Sequence, residues 1–225
     1  MQKFERLTAV AAPLLIDNID TDQMIPVHRM LASMHPDYGA GLFANWRYID
    51  DKAPNPEFIL NQIPYPNAGI LIAGENFACG SSREHAVWAL QGFGIRCVIA
   101  MSFGDIFFNN CFKQGVLPIT LPAATIRTLA AEIAASGGND PLTVSLVDRR
   151  ISSARGMVID FAIDDGLREI LLKGLDEIGQ TLLHEADISA FQARDRLARP
   201  WIYSATPAAM RRAAAVSNAE VKSGE

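Results

Sequence analysis

Between residues 69 and 121 three short apolar runs, GILIA, CVIA and VLPITL, alternate with two segments of helical character. Runs this short, with no polar residue at every second position, suit strands covered on both faces rather than strands with one wet face. Strand and helix in alternation imply βαβ units with right-handed crossovers, and hence a parallel sheet. Strands are expected at 69–73, 97–100 and 116–121, with helices at about 82–93 and 105–114. Sites in such sheets gather at the carboxyl ends of the strands. The stretch GENFACGSSREH, residues 74–85, stands at one of those ends.

The flanking chain is read more coarsely. Residues 4–16 favour extended structure and end in the acidic turn DNIDTDQMIP. Residues 27–68 mix Pro, Gly, Asn and aromatics without a clean period, so short helices within a long irregular excursion are expected. Excursions of that length in compact domains are usually functional or disordered, and Phe43, Trp46 and Tyr48 argue against disorder. A helix over 123–135 stops at Ser136-Gly137-Gly138 and leads to a hairpin of strands at 142–148 and 156–163. Helical segments follow at 166–183 and 187–197. The Ala-rich tail past Pro200 is expected to fray or to order only against a partner.

Ser81-Ser82-Arg83-Glu84 fits a capping box, with Ser81 taking the amide of Glu84 and Glu84 returning a bond to Ser81. The same residues can do more. Gly80 lets another group approach the backbone, a helix N-terminus supplies N–H donors and a positive dipole end, and Arg83 supplies a fork matched to a carboxylate. Together they form an anion site with a hydroxyl beside it. A P-loop lysine, a G-x-G-x-x-G spacing and the second glycine of a nucleophile elbow are all missing. A serine near positive charge can still serve as a base, because that charge favours its alkoxide. His85 is read as a structural histidine, Ser102 to Asp105 as a helix cap, and Phe107, Phe108 and Phe112 as core.

Composition removes other classes. Net charge is −5 with no basic stripe, which argues against a nucleic-acid partner. Cys79, Cys97 and Cys111 have neither C-x2-C nor His spacing, so this chain alone is expected to hold no metal. The acidic turn lacks the glycine and glutamate of a calcium loop. Residues 1–22 carry Glu5, Pro13 and a run of acids, so neither a signal peptide nor a membrane span is expected, and a cytoplasmic setting is.

Four ordered blocks, NIDTDQMIP, LFANWRYID, GENFACGSSREHA and VIAMSFGDIFFNNCFKQGVLPI, with KGLDEIG further on, resemble the small-subunit family of 3-isopropylmalate dehydratase. That family is related to the swivelling domain of aconitase. The resemblance implies an α/β fold, a swivelling β/β/α domain over residues 1–200 with parallel βαβ units, and a C-terminal tail at 201–225. It implies a hydro-lyase active only with a large subunit that carries a [4Fe-4S] cluster, this chain binding none. It implies that Ser81 removes a proton beside a carboxylate, while Arg83 holds that carboxylate and steadies the alkoxide. Asp22, Gly80 and Ser82 complete the substrate contacts, with Arg29, Met30 and Leu31 in the loop that chooses the substrate's side chain, part of a specificity excursion at about 27–68.

Two stretches depart from the family pattern: Gly74-Glu75-Asn76 stands where REN is common, and His28 to Leu31 where an aromatic-Leu-Lys sequence is common. The product of the implied reaction is 3-isopropylmalate, formed from 2-isopropylmalate through isopropylmaleate in leucine biosynthesis. A sister enzyme for 2-methylmalate and citraconate would present the same Ser81 and Arg83 with another loop. A non-catalytic module that captures an anionic metabolite is a further alternative, and an RNA-recognising relative a third, which the acidic balance opposes.

Overall fold

The computed structural model describes residues 1–30, 37–50, 52–80 and 83–204. These fall into two compact units, Met1–Glu177 and Ile178–Glu225, each treated separately below.

The first unit begins with strand β1 (Arg6–Leu14) and then makes the long excursion. Its helices are single turns: α1 (Thr21–Met24), α2 (Val27–Met30), α3 (Tyr38–Gly41) and α4 (Ala44–Arg47). A two-residue pairing of β2 (Tyr48–Ile49) with β3 (Ala53–Pro54) and two 3-10 turns complete it. The repeating part follows as β4 (Ala68–Ala73), α5 (His85–Phe93), β5 (Cys97–Ala100), α6 (Asp105–Gln114), β6 (Leu117–Thr120) and α7 (Ala123–Ala135). Strands β7 (Leu142–Ser145), β8 (Arg150–Ser153) and β9 (Val158–Asp160) form a meander before α8 (Asp165–Lys173).

Among the described residues one seven-stranded sheet runs β6-β5-β4-β1-β7-β8-β9. Strand β1 joins its two halves. Residues Val10 to Leu14 pair in parallel with β4, whereas Arg6 to Ala9 pair antiparallel with β7. Every residue of β4 and β5 is buried, as the unbroken apolar runs require of strands covered on both faces. Edge strand β6 contains Pro118, and the opposite edge, β9, has three residues with Asp160 paired to Arg150.

The sequence misjudges three boundaries. Helix α5 starts at His85 rather than at 82, and Glu84 is itself the N-cap, with no side-chain cap bond. Its carboxylate accepts from Gln114 Nε2 at 3.3 Å, and Ser81, the other half of the capping box read from the sequence, lies outside the described residues. The box in this region belongs to Asp20 and Gln23, each bonding the other's amide. The pair of strands expected at 142–148 and 156–163 is the three-strand meander, because Asp148 turns the chain by bonding Ser145 Oγ at 2.7 Å.

The second unit, among its described residues, is helical: α9 (Glu177–Leu182) after its first residue, α10 (Glu185–Ala198) and α11 (Pro200–Ser204). Asp195 accepts from Arg199 Nε at 2.5 Å and Tyr203 Oη at 2.9 Å, which joins α10 to α11. Those bonds hold its carboxyl below the usual range, the Arg199 bond contributing most. The tail beyond 204 lies outside the described residues.

Backbone bonds tie together the loops that follow β1, β4 and β5. Asn18 N–H donates to Glu75 O at 2.8 Å, Cys79 N–H to Ile19 O at 3.2 Å and Thr21 N–H to Cys79 O at 3.1 Å. Phe77 N–H donates to Ser102 O, and Gly104 N–H returns to Phe77 O. The helix start read at Ser102 to Asp105 is present, with Gly104 as the N-cap of α6, while the Ser102 hydroxyl accepts the amide of Asn76 at 2.7 Å. Glycines permit the close approaches. A Cβ on Gly74 would lie 2.3 Å from Asp17 Oδ1, and one on Gly104 would lie 2.6 Å from Ala78 O.

Helix α5 meets the excursion at a pair of glycines, where a Cβ on Gly92 would lie 2.6 Å from Gly39 N. Gly92→Ala should cost roughly 1–3 kcal/mol of overpacking against backbone, more than the gain of at most about 1 kcal/mol in helix propensity. The urea midpoint should fall accordingly. Ser102→Ala removes the acceptor of the half-buried Asn76 amide and should cost about 1 kcal/mol, with faster amide exchange across residues 74–80.

Candidate active site

The tied loops place residues 17–24 beside 74–80 and 101–105 at the carboxyl edge of β1, β4 and β5. Asp22 is the second residue of α1, whose start is held by the Asp20–Gln23 box through bonds of 2.7 and 2.8 Å. Fixed there, the Asp22 side chain stays 63% exposed and forms an ion pair with Arg83 Nη2. Arg83 Nη1 contacts the thioether of buried Met30 at 4.0 Å. The guanidinium is thus held from two elements with 36% of the Arg83 side chain still exposed.

Gly80 has φ +98°, a left-handed backbone that a side chain would strain, and among the described residues a Cβ there would meet Asp20 Cβ at 3.8 Å. With Ala78, Gly104, Asp105, Ile106 and Phe107 it lines a cleft of about 200 Å³. The sequence-derived set is therefore only partly in view. Arg83 touches both Asp22 and Met30, and Gly80 backs onto the turn that starts α1. Arg29 adjoins Met30 but lies over the Tyr48 ring, 5.3 Å from its centroid. Ser81, Ser82 and Leu31 lie outside the described residues. His85 packs its ring against Trp88 and Tyr38, at 4.8 and 5.7 Å.

Residues that sequence reasoning passed over include Ser102, Asn76 and Tyr48. Ser102 was hidden behind a plausible cap, and Asn76 lies within the quoted loop but serves the frame: its Nδ2 donates to Asn18 Oδ1 at 2.9 Å. Arg47 carries more of the excursion than its place in WRY suggests. It donates to Gly39 O at 2.9 Å and Leu42 O at 3.3 Å, and lies 4.8 Å from the Phe93 ring centroid. Burial lowers its pKa from the ordinary arginine value.

The chain's own thiols do not suit an iron–sulfur cluster. Cys97 and Cys111 are wholly buried, and burial pushes both thiols up, away from the thiolate that a metal needs. Cys79 stands apart from them in the loop. Among the described residues no three His, Cys, Asp or Glu side chains gather as a metal site. No described helix is long and apolar enough to cross a membrane.

Comparison with known proteins agrees with this architecture. Residues 1–124 match the aconitase C-terminal domain, and residues 177–205 match the C-terminal domain of the 3-isopropylmalate dehydratase small subunit. The 3-isopropylmalate dehydratase small subunit of Rhodospirillum centenum is 52% identical over 201 residues, which is 89% of this chain and 98% of that protein. The small subunit of the same name from Agrobacterium fabrum is 49% identical, over 89% of this chain and all of that protein. A crystal structure of 3-isopropylmalate dehydratase from Methanocaldococcus jannaschii superposes with a TM-score of 0.59 at 24% identity, covering 82% of this chain and 98% of that one, and so shares the fold. With half its residues shared with those small subunits along nearly their whole length, the chain belongs to the 3-isopropylmalate dehydratase small-subunit family, built on the aconitase C-terminal domain.

Proposed function

We propose that this chain is the proton-transferring and carboxylate-binding half of a hydro-lyase that interconverts 2-isopropylmalate and 3-isopropylmalate through isopropylmaleate, in leucine biosynthesis. The observation that carries this reading is the Arg83 guanidinium, anchored by Asp22 and Met30 at the carboxyl edge of the sheet, three residues after Gly80. A planar fork fixed in that way suits a carboxylate. The contact from Nη1 to a sulfur at 4.0 Å is weak, and a substrate carboxylate would replace it with a stronger charge-assisted bond.

Ser81 follows Gly80 directly and precedes Arg83 by two residues. In the proposed reaction its alkoxide takes the proton from the carbon next to the bound carboxylate, as the neighbouring carbon loses hydroxide. Water then adds back with the two positions exchanged, Ser81 returning the proton. Arg83 steadies the alkoxide and holds the carboxylate, Asp22 fixes the angle of the fork, and Gly80 keeps the approach open. Arg29 and Met30 bring the excursion to the substrate, with Arg29 taking the second carboxylate; Leu31 adjoins Met30 in sequence and Ser82 adjoins Arg83.

Departure of hydroxide needs an electrophile, and the [4Fe-4S] cluster that would supply it belongs to a large subunit in this proposal, since the thiols here do not suit it. The relatives' names as small subunits support such a partner. Free cysteines throughout the described core support a reducing, cytoplasmic setting.

The test is turnover of the chain reconstituted anaerobically with the large subunit, on 2-isopropylmalate and 2-methylmalate in parallel. Ser81→Ala should assemble normally and lose roughly 10²- to 10⁴-fold in kcat; undiminished kcat would remove Ser81 from the role of base. Arg83→Lys keeps the charge without the fork and should lower kcat/KM roughly 10- to 100-fold. Preference for 2-methylmalate would assign the chain to the sister reaction.

A further inference from the structure

We infer that Tyr48 is a positioning residue for substrate binding: its ring presents the Arg29 guanidinium to the second carboxylate of the substrate, at a spacing from Arg83 set by α5. This deepens the function proposed above and rests on Arg29 binding that carboxylate.

Helix α2 is a single turn, too short to hold its own shape or to aim a long side chain. The direction of Arg29 must come from what it touches. Its guanidinium carbon lies over the Tyr48 ring, 5.3 Å from the centroid, within range of the attraction between a cation and the negative face of an aromatic ring. The ring is well placed to act as a fixed surface. It follows Arg47, whose amide donates to Phe43 O at 2.8 Å and whose carbonyl accepts from Asn61 Nδ2 at 2.7 Å and Asn55 N–H at 2.8 Å. The Arg47 guanidinium contacts both the Tyr48 ring, at 5.3 Å, and the Phe93 ring at the end of α5, at 4.8 Å.

Two bridges therefore relate Arg29 to Arg83. One is short, through the adjacent Met30 and its sulfur. The other passes from Tyr48 through Arg47 to Phe93, and along α5 back to the loop that bears Arg83. A diacid with carboxylates on neighbouring carbons needs two cationic groups held at constant separation, and paired bridges supply that constancy. Charge points the same way. Arg29 and Arg47 share one aromatic ring and repel each other, and a carboxylate arriving at Arg29 relieves that repulsion.

The experiment uses the complex with the large subunit and a cycle of variants: Tyr48→Leu, Tyr48→Phe, Arg29→Ala, and Arg29→Ala combined with Tyr48→Leu. Loss of the ring in Tyr48→Leu should raise KM for 2-isopropylmalate roughly 3- to 30-fold with kcat little changed. Tyr48→Phe, which keeps the ring, should restore KM to near the parent value. In the Arg29→Ala background Tyr48→Leu should add nothing, because its effect passes through that guanidinium. An unchanged KM in Tyr48→Leu overturns the inference, as does an equal rise in both backgrounds, which marks a general structural effect. If Arg29→Ala leaves KM unaltered, the binding role of Arg29 falls and the inference with it, while the hydro-lyase reading stands. Failure of the parent complex to turn over 2-isopropylmalate overturns the proposed function itself. A urea unfolding curve for each variant separates loss of binding from loss of fold.

Discussion

The candidate site depends on a short parallel pairing outside the regular strands, where the turn after β1 lies along the loop after β4. Asn18, Ile19 and Thr21 exchange backbone bonds with Glu75 and Cys79, and the Asp17 carboxylate accepts the Glu75 amide at 2.7 Å. Each bond is worth about 1 kcal/mol net, but their value here lies in direction. They set Asp22 and Arg83 on facing sides of one gap, so that a carboxylate and a guanidinium 61 residues apart in sequence meet. Without the pairing, α1 is a four-residue helix with no claim to a position of its own.

Glycine makes that closeness possible in the frame as well as at the reactive loop. Gly74 admits Asp17, Gly104 admits the backbone of Ala78 and Cys79, and Gly39 and Gly92 bring the excursion onto α5. The departure at residue 74 from the family's arginine is thus compatible with the geometry here, since a Cβ at that position would meet Asp17 Oδ1 at 2.3 Å unless the turn shifted.

Much of this was legible in the residues because two physical signals are strong. Apolar runs without alternation marked β4 and β5 as buried on both faces, and the glycines after α7 marked its end: Gly137 and Gly138 have φ of +60° and +76°. The start of α5 was not legible, because Ser81-x-x-Glu84 satisfies a local capping pattern while Glu84 finds a tertiary partner in Gln114. Ser102 lies in the helix start that the sequence marks, but its use as a cross-loop acceptor was not legible. The chemistry of Arg83 could be read from its residue type and its loop. Its contact with Met30, and the shared ring beneath Arg29 and Arg47, could not, since no local pattern encodes how an irregular excursion folds back. The family resemblance supplied Asp22, which the acidic turn alone leaves as ordinary turn chemistry.

The edges of the sheet have a consequence for the life of the chain before it finds any partner. A seven-stranded sheet has two open flanks, and an open flank can recruit a strand from another molecule. Here one flank is β6, four residues interrupted by Pro118, which has no amide hydrogen to offer, and the other is β9, three residues long with an Asp160–Arg150 ion pair. Neither gives an incoming strand a long, uncharged ladder. Both flanks are thus poor templates for a further strand, whereas the loop edge leaves Asp22 and Arg83 partly exposed.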